Sequence, residues 1–349
     1  MWTRSERIVA STLFQSLHHR SLIRPRPQST ITTADAAISS ISRLSRLIDV
    51  DANICHPQLI PQRDEHLQRA VAAGVQAMVV PASSLGSARE ILDFCHAHGT
   101  SMPRILTTAG IHPYEATEKT VQDLPTTMAE IRTLIAQNSN NIAAVGECGL
   151  DFSDGFPPRE YQLQVFRAQV VLAAEMRKPL FLHVREAFEE CFGVLDDAQV
   201  KIGALPPIIV HCFTGNEEDL RHCVERGYSL SFSGMICRNN AAGKELCQSI
   251  RRIFGKNNDD DDDDGDDRRK QLRDQLIMVE TDAPYLGFPH CRAGYTKGAK
   301  KQTPNVPSSL PKVVEKLAAV LNEDVHHVGT TTREAAIRFF GFQLDKKGR

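Results

Sequence analysis

With 349 residues, 41% of them hydrophobic, and a formal net charge of −2, the chain can build one large core or two modest ones, and it lacks the composition of a protein disordered throughout. The small net charge hides a basic beginning and an acidic tract near residue 260, so it argues neither for nor against a polyanionic partner. No stretch reaches the roughly 18 apolar residues of a transmembrane helix, and the nine cysteines stand singly, which excludes a CxxC redox motif or thiolate zinc cluster and suits a reducing compartment.

Residues 1–46 carry Arg4, Arg7, Arg20, Arg24, Arg26, Arg43 and Arg46 among many Ser and Thr, with only Glu6 and Asp35 acidic. In "ERIVASTLFQSL" the apolar residues fall largely on one helical face with basic groups near its ends, the pattern of a mitochondrial transit peptide. A disordered tail or a misplaced gene start is the competing reading. The expected compartment is accordingly mitochondrial or cytoplasmic, with the nucleus as a further alternative.

From Leu47 onward, short apolar runs alternate with longer amphipathic ones, which predicts parallel βα units. The expected strands are "LIDVDAN", "VQAMVVP", "RILTTAG", "IAAVGE", "PLFLHV", "PIIVHC", "YSLSFSG" and "LIMVET". Between them lie helical stretches such as "DEHLQRAVAAG", "SAREILDFCHAHG", "PPREYQLQVFRAQVVLAAEMR" and "NEEDLRHCVERG", several stopped by glycine. Eight such units over residues 47–345 predict a single TIM (β/α)8 barrel of the α/β class. A doubly wound open sheet is the alternative, but the glycine-rich turn after its first strand is absent. "KNNDDDDDDGDDRRK" (256–270) is expected to be a solvated loop inserted in the seventh βα region, because its carboxylates repel one another and have nothing to bury.

Ligand-type side chains stand where these strands end: Glu147 on the fourth, His183 on the fifth, His211 on the sixth and Asp282 after the eighth. Barrel enzymes build their sites from the C-terminal ends of strands, so four such residues in one layer predict a metal site. Two neutral imidazoles and two carboxylates suit Mg²⁺, Mn²⁺ or Zn²⁺, one or two ions per chain, with no thiolate to demand a softer ion. Glu147 is of the type that bridges two ions, and Asp282 of the type that holds one or takes a proton from water. Cys148 and Cys212, each beside a ligand, point the other way along an extended strand and are expected to pack as thiols.

The motifs "TTAGIHPYEA", "AVGECGLDF", "LHVREA", "VHCFTG", "ETDAPYL" and "TPNVPSSLP", in this order across residues 47–341, resemble those of the TatD family of metal-dependent deoxyribonucleases. The resemblance implies a TIM-barrel hydrolase with 3′–5′ exonuclease activity on DNA, and on RNA as a further substrate, in which Glu147, His183, His211 and Asp282 match metal ligands. Second readings are an ester hydrolase, such as one removing D-amino acids from tRNA, and a catalytically weak scaffold binding nucleic acid or protein. His112 of "GIHP" is a candidate contact for the scissile phosphate or the attacking water, against a structural histidine. Arg185 of "HVRE" is either a bidentate phosphate clamp or one half of an ion pair with a neighbouring Glu. Asp151 of "GLDF" is placed to orient a ligand. Lys297, Lys300 and Lys301 are candidate phosphate contacts, or parts of a solvated loop.

The wider family carries D-x-H-x-H on the first strand, whereas "RLIDVDANICHPQL" (46–59) has no histidine at those positions. Aligning Asp49 with the motif's aspartate puts Asp51 and Asn53 at the histidine positions; aligning Asp51 puts Asn53 and Cys55 there. The first register is similar to the "DIGVN" form of the TatD branch and makes Asp49 and Asp51 further candidate ligands. A hydrogen bond from a nearby amide to Asp51 is the competing role.

Overall fold

The apolar runs of the chain form eight strands, all parallel and paired in chain order. They are β1 (Leu47–Asp49), β2 (Val75–Val80), β3 (Arg104–Ala109), β4 (Ile142–Asp151), β5 (Leu180–Arg185), β6 (Ile208–Val210), β7 (Ser229–Phe232) and β8 (Ile277–Val279). The circle closes where the Val50 N–H donates to Val279 O at 3.2 Å and the Asp282 N–H donates to Asp51 O at 2.9 Å, making a TIM barrel. The computed structural model describes residues 46–255, 263–295 and 303–344; residues 1–45, where the transit-peptide reading falls, lie outside them.

Helices follow the strands: α1 (Arg63–Ala72), α2 (Leu85–His98), α3 (Glu118–Gln122), α4 (Leu124–Gln137), α5 (Arg159–Met176), α6 (Phe188–Ile202), α7 (Glu217–Glu225), α8 (Ala241–Phe254), α9 (Asp263–Leu276), α10 (Leu310–Leu321) and α11 (Val325–Phe340). Their starts are chemically marked. Ser84 and Ser87 cap α2 reciprocally, and Asn216 and Asp219 do the same for α7.

Alternation along the strands divides the core in two. Leu47, Met78, Ile105, Leu182 and Val210 pack with the helices, whereas Ile48, Ala77, Leu106, Phe181 and Ile209 belong to a second cluster that includes Phe340 and Phe342 from the C-terminal end. Phe181 lies between Phe340, 6.2 Å away, and His211, on which it stacks at 4.7 Å. A fully buried phenylalanine thus forms the floor beneath the polar end of the barrel.

The acidic tract departs from the expected loop. Residues 256–262 lie outside those described, but the rest of the run belongs to α9, between β7 and β8. The basic and apolar residues later in the helix give it something to bury. Arg273 is the anchor: buried, it donates to Glu323 Oε1 at 2.8 Å and to Phe254 O at 3.3 Å.

Candidate metal centre

At the C-terminal rim, β4 is irregular. Its pairing with β5 runs Gly146 to Phe181 and then Cys148 to Leu182, so Glu147 is an extra residue in the ladder. Such a bulge re-aims a side chain, and it turns Glu147 into the barrel while Cys148 faces out, buried, with its thiol toward Phe181 O. Gly146 is required here, since its φ is +142° and a Cβ would lie 2.4 Å from Phe181 O.

Three imidazoles converge on one oxygen of Glu147. Oε1 lies 3.2 Å from His112 Nε2, 3.2 Å from His183 Nδ1 and 2.9 Å from His211 Nε2. Burial would raise the Glu147 pKa, but His112 and His211 outweigh it and hold the carboxyl well below its usual range. Burial likewise pulls both His183 and His211 down, and their carboxylate partners reverse this: His183 is raised by Asp151 and Glu147, and His211 is raised well above its ordinary value by Glu147 and Asp51.

Each ring is held from behind. His183 Nε2 meets Asp151 Oδ2 at 3.0 Å, while Asp151 Oδ1 accepts from the Ser153 N–H at 2.9 Å and from its hydroxyl. His112 Nδ1 accepts the Tyr114 N–H at 3.1 Å, so its proton sits on Nε2, facing Glu147. His211 Nδ1 is 3.0 Å from Asp51 Oδ2 and 3.7 Å from Glu280 Oε1.

Two glutamines on the buried face of α5 fix the loops behind these groups. Gln169 accepts the Ile111 N–H at 2.7 Å and donates to Ile111 O at 3.0 Å; Gln162 does the same for Asp151, both bonds at 2.8 Å. They are seven residues apart on one helical face, and buried polar residues at that spacing are the signal by which they could have been found.

The structure corrects two sequence expectations. Asp49 does not face the cluster: its Oδ1 accepts the Thr281 N–H at 2.9 Å and its Oδ2 the Thr281 hydroxyl at 2.7 Å. Because β1 ends at Asp49, the two-residue alternation no longer holds beyond it, and only Asp51 reaches the histidines. Cys212 does not point away either. It follows β6 with φ +45°, and its thiol lies 3.5 Å from Ser233 Oγ and donates to Asp282 Oδ2 at 3.7 Å.

Asp282 lies beside this cluster, and its carboxyl is pushed up to about 8 by burial and by the charge of Glu280. Glu280 is the acid that sequence reading passed over. It is fully buried, with Ser231 Oγ–H donating to its Oε2 at 2.6 Å. Its signal was its place two residues before Asp282 in "ETDAP", one strand period away. Asn305 of "TPNVPSSLP" donates to Thr281 O at 2.8 Å and so ties that motif to the same strand end. Arg185 is half-buried, and among the described residues its side chain makes no ion pair or hydrogen bond, so the alternative of a pair with a neighbouring Glu is not seen there. Lys297, Lys300 and Lys301 lie outside the described residues.

The donor set fits a divalent cation. Among the described residues two clusters with ligand-type atoms within 4.8 Å of one another share Glu147, one with His183 and the protonated Nε2 of His112, the other with Asp51 and His211. The carboxylate oxygens and imidazole nitrogens of such groups are hard donors of the kind that bind Mg²⁺, Mn²⁺ or Zn²⁺; among the described residues Asp51 Oδ2, His211 Nδ1 and Glu280 Oε1 are buried without an aligned hydrogen-bond partner.

Comparison with known proteins agrees with this architecture. The chain is 29% identical over 294 residues to the 3′-5′ ssDNA/RNA exonuclease TatD of Salmonella typhimurium, covering 84% of this chain and 98% of that protein. It is 31% identical over 300 residues to the protein of the same name from Enterobacter lignolyticus, covering 85% and 100%. Its fold matches the crystal structure of a hydrolase TatD family protein from Entamoeba histolytica with a TM-score of 0.67 at 19% identity, over 85% of this chain and 98% of that one. The family model of TatD related DNases matches residues 48–341, and the chain belongs to that family.

Proposed function

We propose that this protein is a divalent-metal-dependent hydrolase that removes nucleotides from the 3′ end of single-stranded DNA, and of RNA as a further substrate, with Mg²⁺ as its native ion. The observation that carries this reading is the single Glu147 oxygen facing three imidazoles at the C-terminal rim of a TatD-family barrel. Glu147, His183, His211 and Asp282 would hold the cation. When bound, a divalent cation lowers the pKa of water and polarises a phosphoryl oxygen.

The remaining chemistry belongs to the protein. His112 keeps its proton on Nε2 because Tyr114 occupies Nδ1, so this ring offers a donor to a phosphate oxygen rather than a lone pair to a metal. The Arg185 guanidinium, free of protein partners among the described residues, is available to clamp the phosphate. Asp282, whose carboxyl lies beside Glu280 and His211, would either help hold the cation or, as a carboxylate, take the proton from water. Lys297, Lys300 and Lys301 would add electrostatic attraction for the backbone. The Arg-rich start supports a mitochondrial address, which imaging of the tagged full chain would check.

Incubation of a 5′-labelled single-stranded oligonucleotide with Mg²⁺ should give a ladder shortening from the 3′ end. Full activity in Glu147→Ala would reject the assignment.

A further inference from the structure

His183 and His211 present opposite edges of their rings to similar surroundings. Each has one nitrogen toward Glu147 and the other toward an aspartate, Asp151 for His183 and Asp51 for His211. The His183–Asp151 contact is an aligned hydrogen bond of 3.0 Å. At His211, Nδ1 and Asp51 Oδ2 are also 3.0 Å apart, yet both are buried and neither has an aligned partner among the described residues. Leaving buried polar groups unpaired is costly, and here angle rather than distance separates the two from a hydrogen bond.

The rest of the surroundings favours Asp51 over its neighbour. Asp51 Oδ1 accepts from Asn53 Nδ2 at 3.0 Å, which fixes the carboxylate and leaves Oδ2 for His211. Glu280 is tied by Ser231 through its other oxygen and lies farther away, at 3.7 Å. Phe181 stacks on the His211 ring with 22° between planes, so the in-plane nitrogens are the atoms left to set its rotation.

We propose that Asp51 is a positioning residue: it accepts a hydrogen bond from His211 Nδ1–H and thereby presents the Nε2 lone pair to the cation, as Asp151 does for His183 through the opposite nitrogen. Asp51 is then not a ligand, although it lies two residues past the end of β1 with its Oδ2 3.0 Å from His211 Nδ1. A neutral imidazole carries one proton, so an acceptor at Nδ1 decides which nitrogen is free to bind metal. This deepens the metal-centre reading above and rests on it.

The test titrates full-length wild type, Asp51→Asn and Asp51→Ala with Mn²⁺ by calorimetry. The same preparations are assayed for kcat and KM on a labelled oligonucleotide. The expected result is an unchanged number of ions in all three, affinity about 10–100-fold weaker in Asp51→Ala, and most of it restored in Asp51→Asn, whose amide oxygen still accepts. Loss of one Mn²⁺ per chain in both variants would overturn the proposal in favour of a ligand. Unchanged affinity in Asp51→Ala, or an Asn variant no tighter than the Ala one, would overturn it in favour of a bystander. Wild-type protein that binds no Mn²⁺ at all would instead bring down the metal centre itself, an outcome distinct from the others.

Discussion

The two sides of the metal centre differ in how far they are satisfied without a cation. On the β4–β5 side, Asp151 has both oxygens hydrogen-bonded, and His183 has aligned partners at both nitrogens. On the β1–β6–β8 side, Asp51, Glu280 and Asp282 crowd three carboxyls around His211, and Asp51 Oδ2, Glu280 Oε1 and His211 Nδ1 lack an aligned partner among the described residues. The first side is a finished hydrogen-bond network that sets geometry. The second is a concentration of buried acid, and buried charge of one sign is costly unless protons or a cation compensate it.

The most severe test removes what the two sides share. Glu147→Ala should lower nuclease activity by at least about 10³-fold, because one carboxylate serves both groups of candidate ligands. Activity within tenfold of wild type would mean that the sides work independently. Breaking the finished side alone should cost less: Asp151→Ala is expected to weaken Mn²⁺ binding about 10–100-fold, measured by calorimetry, without changing the number of ions.

The unfinished side gives a pH dependence. Asp51 is raised well above the usual carboxylate range, and Asp282 to about 8, by burial and neighbouring acids, so in metal-free protein these carboxyls keep protons that the unfolded chain has lost. His183 and His211 act in the same direction, since their raised values stabilise the fold at low pH and that contribution fades as pH rises through them. Glu147, depressed, opposes this only on acidification below its ordinary value. In EDTA the melting temperature should therefore fall by a few degrees between pH 6 and pH 8, and added Mg²⁺ should raise it more at pH 8 than at pH 6. Equal shifts at both values would show that the protons held by the acidic side do not compete with the cation.

The mildest effect is expected outside both sides. Asp49→Asn still accepts the Thr281 N–H and should cost about 1 kcal/mol of stability by thermal unfolding, with Mn²⁺ affinity unchanged. A drop in affinity would return Asp49 to the ligand set.

How much could be read beforehand followed from how local each signal was. Glu147, His183 and His211 were visible because an apolar run with a ligand-type residue at its end states both the strand and its direction. Asp49 and Asp51 were read as sharing one face, and Cys212 as pointing away, but alternation holds only while the backbone stays extended, and β1 and β6 are three residues each. Cys148 faced as expected, but because of a bulge at Glu147 that no pattern announces. The clamps Gln162 and Gln169 were hidden in a helix read only for its apolar face.

By itself, the sequence determined the barrel, the order of its strands and the layer in which the acids and histidines emerge, since period-two burial and glycine or cap signals act over a few residues. Only the tertiary structure decided which nitrogen of each histidine faces Glu147, that Asp49 serves Thr281 while Asp51 serves His211, and that Glu280 belongs to the same cluster. Those outcomes depend on contacts between residues up to 232 positions apart, as between Asp49 and Thr281, and on bulges and strand ends where backbone regularity stops.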